Sequence, residues 1–300
     1  MTQAHVFTTN LGDKEITVEV GKLAKQANMA VKVSCGETEV LVAATMSRSP
    51  REGIDFFPLL VDVEQKMYSV GRIPGSFMRR EGRASDSAIL NARLIDRGIR
   101  PLFPDGYRND VQVTVSVISS DQENQPDVLG ILGAGIALTL SDIPFAGPFA
   151  GVRVGRVDGK WVLNPTYQQI KESDIDLVVA GTPDAIMMVE AGMDEVPEAE
   201  VLDALELAHD AIRKLCDFTT GKMQKAVGKE KIDVQPATVD ATLMAHIRKA
   251  GQKKMTAAMS NPDKLARQND VADLKVALAD EVKALPETHA LQQLLAEKPK

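Results

Sequence analysis

Arginines are concentrated in one short segment of this chain, and their number predicts an anion-binding site. Seven arginines lie between positions 72 and 100 against three acidic residues, so the segment carries +4 in a chain whose net charge is −7. A guanidinium group binds phosphate through two parallel hydrogen bonds, which a lysine ammonium cannot do. Because the segment contains no lysine, we expect planar contacts with phosphate groups.

The residues around Phe77 indicate which phosphate-bearing molecule is bound. Phe77 follows Gly75 and precedes the pair Arg79 and Arg80, with Arg83 three positions further on. A ring on which a base stacks, next to cations that hold the backbone, is typical of proteins that bind single-stranded nucleic acid. The alternative is a solvated arginine face with scattered salt bridges.

A helix is predicted directly after this loop, from an N-cap at Ser85 or Asp86 to a stop at Pro101. Three arginines fall on it at positions i, i+4 and i+7, which share one face: Arg93, Arg97 and Arg100. We interpret them as a phosphate-binding face. For Arg100, which precedes the proline, capping of helix carbonyls is the alternative. The apolar contacts of this helix are assigned to Ile89, Leu90, Leu94, Ile95 and Ile99.

Composition restricts the class of protein. A hydrophobic content of 44% and a charged content of 26% are typical of a soluble globular chain. No apolar run reaches membrane-spanning length, and the first residues have no signal-peptide pattern. The two distant cysteines, Cys35 and Cys216, indicate reduced thiols in a cytoplasmic protein. The acidic total argues against duplex binding by the whole surface, and no DNA or membrane partner is expected.

The order of elements predicts two domains. Residues 1–228 alternate strands and helices, with hairpin turns at Gly36-Glu37, at Asp158-Gly159 and near Pro183. The glycine-rich run from Asp127 to Asp142 is interpreted as a buried helix, because its glycines lie inside the apolar run and do not open a helix after a strand. Residues 229–240 are a polar linker, and 241–300 form an all-helical domain.

This order resembles the N-terminal half of bacterial polynucleotide phosphorylases, also called polyribonucleotide nucleotidyltransferases. The motif GSFMRREGRASDSAILNARLIDRGIRPLFP, from Gly75 to Pro104, is close to the RNA and phosphate loop in the first ribonuclease-PH-like core of that family. The segment from Asp174 to Gly192 is similar to the late hairpin of the same core. The resemblance implies an α+β (α/β-type) core, of the kind called ribosomal protein S5 domain 2-like, followed by the helical domain.

The same resemblance implies an activity. Members of the family are phosphorolytic 3′-to-5′ exoribonucleases of mRNA degradation, in which inorganic phosphate releases nucleoside diphosphates. They form homotrimeric rings around a pore, and they bind single-stranded RNA. They use Mg²⁺ in a second core, which lies outside these 300 residues, and RNA degradosome components are further candidate partners. Phe77 is then the stacking platform in the pore, Arg79 and Arg80 hold RNA, Arg83 supports the loop, and phosphate binds at Arg93, Arg97 and Arg100.

The sequence departs from the family pattern at the acidic metal motif. Active cores carry two aspartates just before the late hairpin, whereas this chain has VLNPTYQQIKES, with Asn164-Pro165-Thr166 and no carboxylate before Glu172. Phosphoryl transfer without a metal lacks its main device for neutralising charge. We therefore expect no catalytic residue and no metal ligand in this core, and structural roles for Asp174 and Asp176. The core is expected to bind RNA and phosphate and to build the ring.

Two functions remain open from the sequence. The chain is either part of a phosphorolytic ribonuclease, inactive when taken alone, or a non-catalytic RNA-binding ring subunit of an exosome-like assembly. Whether the encoded protein continues past Lys300 distinguishes them.

Overall fold

A computed structural model describes residues 4–75, 77–234 and 241–284 of the chain. The chain divides into two compact units, Met1–Gln235 and Pro236–Lys300. Parts of the predicted linker (235–240) and of the predicted helical domain (285–300) lie outside the described residues, as does Ser76 of the arginine loop.

The first unit begins with a six-stranded sheet in the order β1-β2-β3-β4-β6-β5. All neighbours are antiparallel except β5 and β6, which are parallel. Pro58 directly precedes β5, and β5 lies at the sheet edge, as a proline in this position predicts. The strands are β1 (His5–Leu11), β2 (Lys14–Val20), β3 (Met29–Cys35), β4 (Thr38–Met46), β5 (Leu59–Gln65) and β6 (Val111–Ser119).

A second sheet of four strands has the order β10-β9-β7-β8, with all neighbours antiparallel. Asp158 and Gly159 both have positive φ (50° and 73°), which is the backbone that a tight two-residue hairpin requires. The predicted hairpin is therefore confirmed. The strands are β7 (Ala150–Val157), β8 (Lys160–Leu163), β9 (Ile175–Gly181) and β10 (Ile186–Met193).

The helices of the first unit pack against these sheets. Helix α1 contacts β5 and β10, whereas α4 contacts β7 and β9. The helices are α1 (Asp86–Ile99), α2 (Pro126–Leu140), α3 (Tyr167–Glu172), α4 (Glu198–Phe218) and α5 (Gln224–Val227), with a π-helical turn at Thr219–Met223 between the last two. None of the helices in the described ranges is long and apolar enough to cross a membrane.

Helix α2 is the centre of the core, and every one of its residues is buried. It contacts β3 and β4 of one sheet and β7 of the other. A Cβ atom on Gly133 would lie 2.5 Å from Val42 Cγ2, and one on Gly135 would lie 2.0 Å from the carbonyl oxygen of Phe149. The glycines therefore allow close approach on two sides, which confirms the prediction of a buried helix.

Residues 229–234 are bonded to the end of α2. The Lys229 amide donates to Leu140 O (2.8 Å), and the Ile232 amide donates to Asp142 O (2.9 Å). The Lys231 ammonium donates to Leu138 O (2.6 Å) and Ser141 O (2.8 Å), so a cation caps the negative end of the helix. Burial lowers the pKa of Lys231 to about 8. The first half of the predicted linker thus packs on the first unit.

The second unit contains two helices in its described part, α6 (Ala241–Met259) and α7 (Lys264–Lys283). Leu243 and Val282 are buried between them, with Ile247 packed alongside. A Cβ atom on Gly251 would lie 2.7 Å from Leu278 Cδ1, so this glycine lets the helices approach closely.

Candidate nucleic-acid interface

The arginine loop connects a 3-10 turn, Met67–Val70, to helix α1. It leaves the turn through Gly71, whose φ of 69° closes the turn in the left-handed conformation. The Met67 amide donates to Glu81 Oε1 (2.8 Å), which ties the far end of the loop back to its start. Ser85 ends the loop as the N-cap of α1 and accepts the Ala88 amide (3.2 Å), in agreement with the predicted cap.

The loop exposes apolar side chains together with its cations. Phe77 is 99% exposed, so it is not part of the core. Ile73 and Met78 are also exposed, and the sequence analysis did not single them out. The sequence feature that could have identified them is the presence of apolar residues among Pro74, Gly75 and the arginines, in a loop where they cannot be buried in a core. Of these side chains only Phe77 carries an aromatic ring, the kind of group on which bases of single strands stack.

The loop arginines are available to a ligand. Arg79, Arg80 and Arg83 are exposed, and none forms a hydrogen bond or ion pair with the residues that the structure describes. Arg79 has a φ of 49°, a left-handed conformation that is uncommon for a residue with a side chain. Left-handed backbone of this kind is common in turns and recurs at ligand-binding sites. The structure therefore places Phe77, Arg79, Arg80 and Arg83 on one exposed loop.

The arginines of α1 lie on its exposed side, as their spacing predicts, but their contacts differ. Arg93 makes no hydrogen bond or ion pair within the described parts of the chain. Arg97 pairs with Glu190 and donates to Val189 O (3.1 Å) in strand β10. Leu90, predicted to pack, is 60% exposed because it precedes Arg93 by three positions and Arg97 by seven, and so shares their face.

Arg100 has a structural set of partners. It pairs with Asp96 (2.7 Å) and donates to the carbonyls of Phe57 (3.3 Å) and Leu59 (3.2 Å), which precede and begin the edge strand β5. Its guanidinium carbon lies 5.8 Å from the centre of the Phe57 ring. The carbonyls that it binds therefore belong to the strand and not to the helix end. Arg93 and Arg100 line one cleft between α1 and β5, with a volume of about 280 Å³.

The carboxylates near the late hairpin are engaged in ion pairs. Asp174 accepts from Arg156 Nε (3.0 Å), and this hydrogen bond lowers the pKa of Asp174. Asp176 lies 3.4 Å from Arg153, whose other terminal nitrogen binds the largely buried Asp127 at 2.6 Å. Burial raises the pKa of Asp176 despite the opposing charge of Arg153. The contacts support the structural roles predicted for Asp174 and Asp176.

Asn164 occupies a position that holds two strands together. Its amide donates to Arg153 O (2.7 Å), its side-chain oxygen accepts the Arg153 amide (2.8 Å), and its carbonyl accepts from Lys14 (2.7 Å). Its φ of 47° suits asparagine, which tolerates left-handed backbone better than most residues. The side chain is therefore satisfied without a metal.

A divalent cation does not fit this region. Mg²⁺ requires several oxygen ligands in octahedral arrangement, whereas Asp174 is bound by Arg156 and Asp176 has one oxygen next to Arg153. Across the described residues, no group of three or more histidine, cysteine or acidic side chains is arranged to hold a metal ion.

Comparison with known proteins assigns the chain to a family. Two models match consecutive parts of the chain: "3′ exoribonuclease family, domain 1" on residues 12–144 and "3′ exoribonuclease family, domain 2" on residues 147–211. Together they cover about two thirds of the sequence. The chain belongs to the 3′ exoribonuclease family. The arginine loop and α1 lie in domain 1, and the late hairpin lies in domain 2 of this family.

Relatives in this family are named polyribonucleotide nucleotidyltransferase. The chain is 50% identical to that of Heliobacterium modesticaldum over 280 residues, which is 93% of this chain and 39% of the relative. It is 50% identical to that of Listeria welshimeri over 284 residues, 95% of this chain and 39% of the relative. The chain thus spans about two fifths of the length of the curated relatives it matches. The resemblance found in the sequence is confirmed.

The fold of the exoribonuclease core is also found in a solved structure. Rice (Oryza sativa) Rrp46 superposes with a TM-score of 0.56 at 14% identity, covering 70% of this chain and 94% of that one. The predicted fold class, a ribonuclease-PH-like α+β core followed by helices, is confirmed.

Proposed function

We propose that this chain supplies the RNA- and phosphate-binding core of a phosphorolytic 3′-to-5′ exoribonuclease of the polyribonucleotide nucleotidyltransferase type, acting in mRNA degradation. One observation carries the proposal: Phe77 is 99% exposed on the same loop as Arg79 and Arg80, which are free of protein partners among the described residues. Such a loop offers single-stranded RNA a ring for a base and guanidinium groups for the backbone.

In this proposal the core binds RNA and phosphate and does not cleave RNA. Arg93 is the first phosphate ligand, because its guanidinium has no partner in the described structure. Arg97 becomes a ligand when phosphate displaces Glu190, whereas Arg100 holds the edge of β5. Mg²⁺ belongs to another part of the enzyme, since Asp174 and Asp176, the carboxylates next to the late hairpin, are paired with arginines.

The assembly is part of the proposal. We infer a homotrimeric ring in which one Phe77 per subunit narrows the pore, and RNA degradosome components as further partners. A cytoplasmic location is supported by Cys35 and Cys216, which are both buried and unpaired thiols.

A non-catalytic RNA-binding ring subunit of an exosome-like assembly is the second candidate. The pairing of Asp174 with Arg156 and of Asp176 Oδ2 with Arg153 favours it, because Asp174 is held by a guanidinium and only one oxygen of Asp176 has no partner among the described residues. The 50% identity to polyribonucleotide nucleotidyltransferases favours the first candidate.

Binding of poly(A) at several salt concentrations tests the loop. For single strands, each phosphate contact contributes about 0.7 to the steepness of the fall of log K with log salt. R79A/R80A should therefore make this dependence less steep by about 1.4. The matched control is R213A/K214A, an adjacent exposed cation pair on α4 with the same change of charge. Equal slopes for the wild-type chain and R79A/R80A would show that the loop does not hold RNA.

A further inference from the structure

Helix α6 has an unbalanced positive charge. Its nineteen residues, Ala241–Met259, include Arg248, Lys249, Lys253 and Lys254 but no aspartate or glutamate. The chain as a whole is acidic, with a net charge of −7. Helix α7, by contrast, carries equal numbers of cationic and acidic side chains. The excess is therefore a property of α6 and not of the composition of the unit.

Three of these cations lie on one side of the helix. At about 100° per residue, Arg248, Lys249 and Lys253 fall within an arc of about 140°. Gln252 and Thr256 lie within the same arc, and all five residues are exposed. We call these five residues the α6 cationic stripe. The side chains that pack against α7 (Leu243, Ile247, Gly251 and Ala258) lie on the opposite side.

The cations of the stripe have no protein partner among the residues that the structure describes. Arg248, Lys249 and Lys253 make no ion pair or side-chain hydrogen bond with any residue that the structure describes. On α7 the acidic side chains include Asp270, which accepts from Asn261, and Asp280, which pairs with Lys283. Unneutralised cations at this spacing repel one another, and a polyanion relieves that repulsion.

We propose that the α6 cationic stripe is a second contact surface for single-stranded RNA, through its phosphate backbone. The stripe presents three cations over a rise of about 7.5 Å, with the Gln252 amide between them and the Thr256 hydroxyl three residues beyond Lys253. The stripe contains no aromatic side chain, the kind that most often anchors a protein partner, although Met259, which is 59% exposed, lies within the same arc beyond Thr256. The contact is therefore electrostatic and independent of base sequence.

The test uses the full chain with Gln in place of the three cations, R248Q/K249Q/K253Q. Glutamine has a helix propensity similar to that of lysine and arginine, so α6 remains folded. The matched control, K264Q/K275Q/K283Q, removes three exposed cations from α7. Thermal unfolding of both variants should coincide with that of the wild-type chain.

For poly(A), the slope of log K against log salt should be less steep for the α6 variant than for wild type, by about 2, because three contacts at about 0.7 each are lost. When the salt concentration is raised from 50 to 200 mM, the factor by which the affinity falls should be about 15 times larger for the wild-type chain than for the variant. The α7 control should retain the wild-type slope. Equal losses in both variants would overturn the proposal, because they would reflect net charge alone. An unchanged slope in the α6 variant would overturn it too.

Two further measurements separate this proposal from others. If R79A/R80A leaves the salt slope unchanged while the α6 variant still differs from its control, the loop does not hold RNA and the stripe stands without the proposed function. If poly-glutamate binds more tightly than poly(A) and depends on the same three residues, the surface is for an acidic protein and the proposal fails.

Discussion

Arg97 in α1 and Glu190 in β10 form an ion pair that joins the arginine helix to the late hairpin across 93 positions of sequence. The same guanidinium donates to Val189 O, so Arg97 is held against the strand by two contacts. A phosphate bound by Arg97 must therefore displace a carboxylate. Arg93 carries no such restriction within the described structure, and the two arginines are unequal ligands although their spacing makes them look alike.

Removal of the Glu190 charge should strengthen phosphate binding. An exposed ion pair contributes about 0.2–1 kcal/mol, so E190Q should raise the affinity for orthophosphate about 1.4- to fivefold with little change in stability. Titration calorimetry measures the effect. In the double variant R97Q/E190Q the gain should vanish, and a gain that persists without Arg97 would show that Glu190 acts on another group.

Replacement of Phe77 should affect RNA binding and not folding. The ring is 99% exposed, so F77A should melt at the wild-type temperature. Loss of one stacked base should weaken binding of poly(A) by about 5- to 160-fold without changing the salt slope, because no charge is removed. F56A, at another exposed ring, is the control. In the proposed ring the Phe77 side chains of several subunits act together, so the measurement is made on the oligomer, and unaltered affinity in F77A would remove Phe77 from the site.

The 300-residue chain alone should release no nucleoside diphosphate from poly(A) with phosphate and Mg²⁺. Asp174 and Asp176 are paired with arginines, and Asn164 is satisfied by Arg153 and Lys14. Turnover is followed by chromatography of the products. Activity that survives repurification, and that is lost in D174N/D176N, would contradict the prediction.

Asp121 should make stability depend on pH in the acid range. Burial opposes its ionisation, but hydrogen bonds from Asn124, Glu123 and Thr38 outweigh this and lower its pKa to about 2. A carboxylate with a lowered pKa stabilises the fold above its ordinary value of 3.8, and this stabilisation is lost as the pH falls towards about 2. D121N should therefore be less stable than wild type at neutral pH, and the gap should narrow in that window. Urea unfolding measures it, with exposed Asp105→Asn as the control; a gap independent of pH would rule out the titration.

Gly135→Ala should destabilise the first unit. The new Cβ would lie 2.0 Å from Phe149 O, a backbone atom that cannot move aside. Overpacking of this kind costs about 1–3 kcal/mol or more of the free energy of unfolding. Gly221→Ala has no atom within 4 Å of its Cβ and should be neutral or slightly stabilising. Equal unfolding midpoints for the two variants would contradict the close packing of α2.

Local patterns in the sequence predict the elements, because they depend on neighbouring residues. The N-cap at Ser85, the tight turn at Asp158-Gly159 and the exposed arginine face of α1 all follow from spacing within one element. The glycines of α2 also predict its burial. The partners of the site residues were not predictable in this way: Glu190 beside Arg97, and Phe57 and Leu59 beside Arg100, are brought together by packing across more than 40 positions.

Leu90 shows why helical periodicity alone does not identify the buried face of a helix. Helical spacing says which residues share a face, but it does not say which face meets the sheet. The side of α1 that carries the arginines is exposed to solvent, and Leu90 is exposed because it lies on that side. The free state of Arg93 and the paired state of Arg97 likewise depend on where β10 lies, which no local pattern encodes.

The central position of α2 has a consequence for the synthesis of the chain. Strands β3 and β4 precede it, whereas β7 and its partner β9, which ends at Gly181, are translated later. At about 5–20 residues per second, the ribosome needs roughly 2–8 s to extend the chain from Leu140 to Gly181. During that interval one side of a largely apolar helix has no sheet to cover it, and the nascent polypeptide is open to aggregation and to capture by chaperones.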